Sequence, residues 1–404
     1  MTVPEINIAD YDYNLPAERI AKYPLGKRDH SKLLVYDNGE ILQDFFYNIA
    51  AYLERDSYLA ANNSKVIPAR LIFHKPTGAK IEIFCLEPYD THEFSTVFSS
   101  NGTVTWKTIV GNAKKWKTGT LTKQIKHNGK EFQLTAHKEQ DLGGGSFIIR
   151  FEWDSDVSFA EVIELAGKVP IPPYLGRDTE SIDKDRYQTV YAKHDGSVAA
   201  PTAGLHFTPD VFDSLKKKNI KTVELTLHVS AGTFKPVDAD DIRQHKMHEE
   251  WIVLKQNTIK DLLAAENLTS VGTTTLRALE SIYWLGINIK NKTGALRVTQ
   301  WQPYEQEASL SFKAALEEIG NYMNKNNLAT LNFPTEIIIM PGYRVKSANT
   351  LITNFHQPKS TLLLLVAALI GDDWKKVYKY ALDNGFRFLS YGDSSILKFD
   401  NYGK

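Results

Sequence analysis

The chain reads as an α/β protein interrupted by an inserted antiparallel β-barrel, and three observations carry that reading. From Lys80 to Trp153, short alternating apolar runs are separated by Gly, Asn and Lys turns, the pattern of a small antiparallel β unit. Beyond it, helical and strand patterns alternate to the C-terminus, as in an α/β layer architecture. No internal repeat or low-complexity tract is present, so a solenoid is not indicated. The expected division is an α/β domain of residues 1–75 and 155–404 around a barrel of residues 76–154.

Each element has a local reason. A strand at Lys32–Tyr36 precedes a helix near Phe46–Leu53. The insert's strands are expected at Lys80–Leu86, Phe94–Phe98, Thr103–Val110, Glu131–Ala136 and Ser146–Trp153. Phe159–Ala166 and Val211–Lys218 read as helices, and Thr222–Val229 as a strand. Thr208 as N-cap, with Pro209 at the first helical position, marks the start of the second helix. Val271-Gly272-Thr273-Thr274 reads as a strand end, a glycine, then threonines capping a helix. Ile337–Met340 is expected as a strand ended by Pro341-Gly342. Ser360-Thr361 caps the apolar helix Leu362–Ile370.

Composition narrows the class. At 404 residues and 42% hydrophobic content, the chain supports a large core. The longest apolar run, Leu362–Ile370, is far short of a membrane span. Met1–Asp10 has neither a basic nor an apolar signal region, so no secretory leader is expected. The single cysteine, Cys85, excludes an internal disulfide and a cysteine-based zinc site. A reducing cytoplasm is the expected compartment. Net charge is zero, yet residues 101–150 hold eight lysines and one arginine against Glu131, Glu139 and Asp141. A basic module in a neutral protein suits contact with a phosphate backbone at one place, though a solvated lysine-rich surface gives the same composition.

Residues Ala199–Phe207, Ala-Ala-Pro-Thr-Ala-Gly-Leu-His-Phe, are the most informative stretch. Pro201, Ala203 and Gly204 permit close approach of backbone to a ligand, Thr202 brings a hydroxyl, and His206 brings a titratable ring. A tight packing corner would use the same small residues. Val190-Tyr191-Ala192 leads into it. Other chemistry-bearing segments are His228–Pro236, Gln244–Glu250, Val271–Glu280 and Thr353–Thr361. His245 and His248 beside Glu249 fit no helical His-x3-His pair and have no third ligand nearby, so no metal site is expected. Helix starts at Thr273-Thr274 and Ser360-Thr361 offer amides to a carboxylate or a ribose. No Gly-x-Gly-x-x-Gly, no phosphate-binding Gly-x4-Gly-Lys-Ser/Thr loop and no Gly-x-Ser-x-Gly elbow occurs.

Together these segments resemble the S-adenosylmethionine:tRNA ribosyltransferase-isomerase family. The matching stretches include Asp12–Pro16, Arg28–Val35, Val66–Arg70, Arg186–Ala192 and Ala199–Phe207. They continue through His228, His245/His248, Gly272–Thr274, Pro341–Tyr343, Thr353–Thr361 and Phe386–Asp393, in family order along nearly the whole chain. The resemblance implies a larger α/β domain with an inserted β-barrel. It also implies transfer and rearrangement of the ribosyl moiety of S-adenosylmethionine onto 7-aminomethyl-7-deazaguanine at the tRNA wobble position. The products are epoxyqueuosine, adenine and methionine. S-adenosylmethionine is then a co-substrate, with no permanently bound cofactor.

That chemistry asks for a base to take the acidic C5′ proton beside the sulfonium, and His206, His228, His248 and His356 are the candidates. Arg70, Arg277 and the Ser360-Thr361 helix start are candidates for the methionine carboxylate. Thr202, Thr273, Asn354 and Asp393 are expected around the ribose, with Tyr191 and Thr274 also expected to bind substrate. Lys114, Lys115 and Lys117 around Trp116 are expected to meet tRNA phosphates, Trp116 either stacking on a base or facing the core. The partners expected are tRNA and S-adenosylmethionine, with no membrane, the chain acting as a monomer or small homo-oligomer.

Some residues depart from the family pattern. The chain is longer than the usual member, much of the excess lying between Ser281 and Met340, where Arg297–Glu305 is placed to reshape the substrate mouth. Asn62-Asn63-Ser64-Lys65, Gln357, Ser230 and Ser394–Leu397 replace commoner family residues. Two rival readings follow from these changes: a paralogue with another acceptor, or a catalytically silent S-adenosylmethionine- or RNA-binding protein.

Overall fold

The computed structural model describes residues 3–91, 93–229, 237 and 239–400. Its largest unit is a nine-stranded mixed sheet with helices on both faces. Its strand order is β16 (Thr330–Thr335), β14 (Glu250–Lys255), β13 (Lys221–His228), β3 (Tyr58–Asn62), β15 (Leu268–Val271), β17 (Thr350–Asn354), β18 (Ser394–Lys398), β1 (Lys32–Asp37), β2 (Glu40–Phe45). The four central strands β13, β3, β15 and β17 run parallel. Side-chain alternation sorts each central strand between two cores. Leu34, Tyr36, Ala60, Leu351 and Leu397 enter one core; Leu33, Val35, Leu59, Ala61, Ile352 and Ile396 enter the other.

The first core is covered by α5 (Gln256–Ala264), α6 (Thr273–Lys290), α8 (Phe312–Lys325), α9 (Thr361–Ile370) and α10 (Asp373–Asp383). Helices α6 and α9 are buried around most of their circumference; α9 is apolar along its length, whereas the buried polar residues of α6 are paired, Arg277 with Glu250 and Ser281 with Thr335. The opposite core holds α4 (Pro209–Lys217) and a 3-10 segment, Phe46–Tyr52. Thr208 caps α4 through the Val211 amide, with Pro209 at the first position, as the sequence predicts.

The second unit is a seven-stranded antiparallel sheet ordered β11 (Gly167–Lys168), β5 (Arg70–His74), β6 (Lys80–Pro88), β7 (Thr103–Gly111), β10 (Ser146–Trp153), β9 (Lys130–Gly143), β8 (Leu121–His127). Strands β4 (Ser64–Val66) and β12 (His194–Ser197) form a separate pair. The expected barrel is a half-closed sheet: among the described residues no ladder joins β8 to β5 or β11. Helix α2 (Phe159–Ala166) packs at that seam, with Phe159, Val162, Ile163 and Ala166 in the sheet's core and Lys123 of β8 bonded to the Ala166 carbonyl at 2.7 Å.

Three expected elements differ. Phe94–Phe98 is a helix, α1 (Phe94–Ser99), because Phe94, Val97 and Phe98 bury one helical face at i, i+3, i+4. Phe46–Leu53 forms 3-10 turns rather than an α-helix. Ile337–Met340 is buried but joins no strand, because side chains serve its backbone. Arg277 Nε donates to the Ile337 carbonyl at 3.1 Å, and Tyr304 Oη accepts from the Met340 amide at 2.9 Å. The segment Ser281–Met340 is woven into the fold through α6, the short helix α7 (Gln302–Glu305), α8 and β16.

Helices α6 and α8 cross at Gly286, where an added Cβ would lie 2.5 Å from the Ala315 carbonyl oxygen and 2.7 Å from its Cβ. Gly286→Ala is therefore expected to destabilise by about 1–3 kcal/mol through overpacking, outweighing a helix-propensity gain of about 1 kcal/mol. Urea unfolding that shows a raised midpoint would refute this.

Candidate active site

Strands β15 and β17 are parallel neighbours, and both end in turns that lead into buried helices. Their carboxyl ends are where an open α/β sheet places its ligand crevice. The Gly272 amide donates to the Ile352 carbonyl at 2.8 Å and fixes one junction beside the other. Into the gap comes Ala199–Ala203. The result is a cleft of about 740 Å³, open solvent at its mouth included. Its walls are Ala199–Ala203, Gly272–Thr274, Thr353–Gln357 with Ser360, and Leu389-Ser390. Four segments far apart in sequence thus meet, and Pro201, Thr202, Thr273, Thr274, Asn354, His356 and Ser360 all line the cleft.

Each wall has its own logic. Gly272 has φ +90°, so glycine suits the junction, and a Cβ added there would lie 3.7 Å from the Ala203 Cβ, in ordinary contact with the neighbouring wall. Gly272 is also the N-cap of α6 and supplies no side-chain cap. The first amides of an 18-residue helix are left facing the cleft, a setting for a negatively charged group. The expected threonine caps are absent because the helix starts at Thr273: Gly272 takes the N-cap position and Thr273 and Thr274 lie in the first turn, while Thr275 Oγ1 donates back to the Val271 carbonyl at 2.6 Å. Ser360 does cap α9, through the Leu363 amide at 3.2 Å. Thr361, beside it, does not line the cleft.

His356 lines the cleft with Nε2 2.9 Å from Thr353 Oγ1, and among the described residues Nδ1 has no protein partner. Its amide is held by Tyr378 Oη at 3.0 Å. His206 stands behind the wall. Asn354 Nδ2 donates to the Leu389 carbonyl at 2.9 Å, which leaves Oδ1 to accept from His206 Nε2 at 3.3 Å. That assigns the proton to Nε2, so Nδ1 accepts from Ser31 Oγ at 2.8 Å. Burial pushes His206 down to about 4 and His356 down to about 3, so both rings are neutral at pH 7.

Several expected site residues lie elsewhere. Arg70 is committed to Glu82 at 3.0 Å in the antiparallel sheet. Arg277 forms a buried pair with Glu250 at 2.8 Å, one turn beyond the cleft end of α6. Asp393 clamps Arg387 and the Lys32 amide, organising the Phe386–Asp393 turn. Gly204 makes room for protein: a Cβ there would sit 2.1 Å from Tyr191 Oη, and Tyr191 packs against Phe207 and Phe212. His228 stacks on Phe94 at 4.0 Å and lines a different groove, burial pushing it down to about 4. His248 is exposed and does not line the cleft. Ser230 and the rest of residues 230–236 lie outside the described residues. No residue between Ser281 and Met340 lines the cleft, so Arg297–Glu305 does not shape its mouth. Trp116 is fully buried, its Nε1 donating to the Gly119 carbonyl at 2.9 Å, and is unavailable for base stacking. Lys114, Lys115 and Lys117 around it remain exposed.

Sequence reasoning missed Tyr174, Ser390 and Leu389. Tyr174 Oη and Ser390 Oγ, 2.6 Å apart, close one side of the cleft. Leu389 has φ +69°, a strained conformation for a non-glycine residue, and its carbonyl is the one that orients Asn354. Pro172-Pro173 before Tyr174 was the available signal for a rigid turn there.

The architecture and cleft define an α/β protein with a ligand crevice at the carboxyl ends of parallel strands. Residues 8–397 match the family model described as queuosine biosynthesis protein, and the chain belongs to that family. It is 37% identical over 400 residues to the S-adenosylmethionine:tRNA ribosyltransferase-isomerase of Halothermothrix orenii, covering 97% of this chain and 100% of that one. The protein of the same name from Caldanaerobacter subterraneus is 35% identical, with 96% and 99% covered. A crystal structure of S-adenosylmethionine tRNA ribosyltransferase from Thermotoga maritima is 27% identical, covers 96% and 99%, and aligns with a TM-score of 0.44. Among the described residues no helix is long and apolar enough to cross a membrane, and no cluster of His, Cys, Asp and Glu is arranged to hold a metal.

The three buried rings give stability a defined pH dependence. Their folded pKa values lie below the usual 6.5, so as pH falls from 6.5 toward 4 the unfolded chain takes up protons that the folded chain refuses. Stability is expected to fall over that window, by at most about 4 kcal/mol per pH unit for three histidines. Chemical denaturation of wild type and His356→Gln across the window checks it. The wild-type slope should be the steeper, and equal slopes would refute the assignment.

Proposed function

We propose that this chain is an S-adenosylmethionine:tRNA ribosyltransferase-isomerase, acting on tRNA that carries 7-aminomethyl-7-deazaguanine at the wobble position. What carries the reading is the convergence of Ala199–Ala203, Gly272–Thr274 and Thr353–Ser360 on one cleft, in a chain of this family. The uncapped amides of α6, with Thr273 and Thr274, receive the methionine carboxylate, a role Arg70 and Arg277 cannot take because carboxylates already hold them. Thr202 meets the ribose hydroxyls. His356, which lines the cleft with Nδ1 free of protein partners among the described residues, removes the C5′ proton acidified by the sulfonium. His206 and Asn354 set the wall against which the sugar rearranges before adenine and methionine leave.

The exposed Lys114, Lys115 and Lys117 are assigned to tRNA phosphates. The antiparallel sheet with α1 and α2 is assigned to an inserted domain, and sheet membership favours boundaries near Arg70 and Lys168 over 76 and 154. Such a reaction belongs in the cytoplasm, with the chain working as a monomer.

Purified protein given S-adenosylmethionine and tRNA bearing the aminomethyl-deazaguanine base should release adenine and methionine and leave epoxyqueuosine in the tRNA. Absence of adenine release overturns the proposal. His356→Asn should lower kcat by about 10²–10⁴ while thermal melting at pH 7.5 stays near wild type. Because the ring is already neutral, kcat/KM should show no histidine limb near pH 6.5; an acid limb there would exclude His356 as the base. Reversing the charges of Lys114, Lys115 and Lys117 should weaken tRNA binding and lower its salt slope by about three. An unchanged slope would clear this surface of the role.

A further inference from the structure

Behind the His206–Asn354 wall lies a second, smaller cavity that the reaction as described does not use. It is lined by Arg28, Ser31, Arg186, His206, Arg387 and Ser390 among others, and Ser390 also borders the main cleft. Three arginines therefore line one small space. Arg387 is compensated by Asp393 at 3.0 Å. Arg28 and Arg186 are not: among the described residues neither has a carboxylate within ion-pair distance. Arg28 is held by the carbonyls of Gln188 at 2.5 Å, Asp185 at 2.7 Å and Leu205 at 3.5 Å. Arg186 is held by the carbonyls of Leu25 at 2.5 Å and Gly26 at 3.3 Å.

Carbonyl dipoles orient a guanidinium and satisfy its hydrogens, but they do not cancel its charge. Burial first, and the neighbouring Arg186 second, push the Arg28 pKa down, the electrostatic mark of two like charges kept together. Arg186 Nε is buried and has no hydrogen-bond partner among the described residues, so one donor of a planar fork is unspent. Ser31 adds a hydroxyl at the cavity wall, its proton directed to His206. A preorganised pair of guanidinium groups, one with an unspent donor, matches an oxyanion.

From this geometry we infer that Arg28 and Arg186 form an oxyanion subsite, and that the oxyanion is a backbone phosphate of the RNA acceptor. The inference rests on the proposed function for the identity of the ligand, and not for the existence of the site. The subsite is one side chain away from the cleft, through Ser390 and through the Ser31–His206–Asn354 hydrogen-bond chain. A phosphate next to the target nucleotide would seat there while its base and ribosyl donor meet on the other side of His206. The alternative source of the same chemistry is the methionine carboxylate, which the amides of α6 already suit.

Phosphate protection comes first as a test. At constant ionic strength, millimolar inorganic phosphate should raise the melting temperature of wild type and leave that of Arg186→Gln unchanged. Next, Arg186→Gln should weaken tRNA binding on the order of tenfold and lower its salt slope by about one, with S-adenosylmethionine affinity unchanged. Arg186→Lys, which keeps the charge, should retain the salt slope and lose only part of the affinity. Weakened S-adenosylmethionine binding with unaltered tRNA binding would overturn the RNA assignment in favour of the carboxylate. If phosphate gives no protection and neither affinity moves, there is no subsite. None of these readouts needs turnover, so a protein that releases no adenine but keeps phosphate protection would lose the proposed activity and retain the subsite.

Discussion

One backbone pairing organises the site: β15 and β17 run side by side in the same direction, tied where the Gly272 amide reaches the Ile352 carbonyl. Because both strands end at the same edge of the sheet, their two helices begin next to one another. Helix α6 starts at an uncapped glycine and α9 at a serine cap. The cleft exists because these two starts leave room that Ala199–Ala203 then walls in. A change of register between the two strands would separate Thr273 and Thr274 from His356 and Ser360.

Around that pairing, buried polar groups are spent on holding position. Asn354 commits its amide nitrogen to Leu389 and Ser390 carbonyls and its oxygen to His206. The strained Leu389 is one source of that orientation. Glu280, its pKa raised by burial, accepts from Tyr343 and the amides of Lys346 and Ser347, which anchors the Pro341–Tyr343 turn beneath α6. Asp183, the buried residue of α3 (Ser181–Arg186), accepts from Arg177, Tyr391 and the Glu180 amide, so the helix that carries Arg186 is fixed in place. Replacing any of these by an apolar residue would free groups that have no water to turn to.

Much of the site was legible from the chain. Small residues at Ala199–Ala203, a glycine before Thr273, and the His356–Ser360 approach to an apolar helix each signalled a strand or loop delivering backbone to a ligand. The residues misplaced share a cause. Arg70, Arg277, Asp393 and Trp116 carry side chains that suit a ligand and suit a buried protein partner equally well. Glu82, Glu250, Arg387 and Gly119 took them. Gly204 was read correctly as a close approach, but to the wrong neighbour, because sequence does not say what comes close.

By itself the sequence determined the local facts: period-2 strands, the caps at Thr208 and Ser360, the apolar helix Leu362–Ile370, and family membership through short motifs in order. These depend on neighbours within a turn or a strand pleat, and local sterics decide them. The tertiary structure alone decided which histidine meets the cleft, which arginines keep their charge free, and that the expected barrel stays half closed with α2 at its seam. Each of those depends on partners brought together from distant parts of the chain. Charge and hydrogen-bond capacity are properties of a residue; whether they are already spent is a property of the fold.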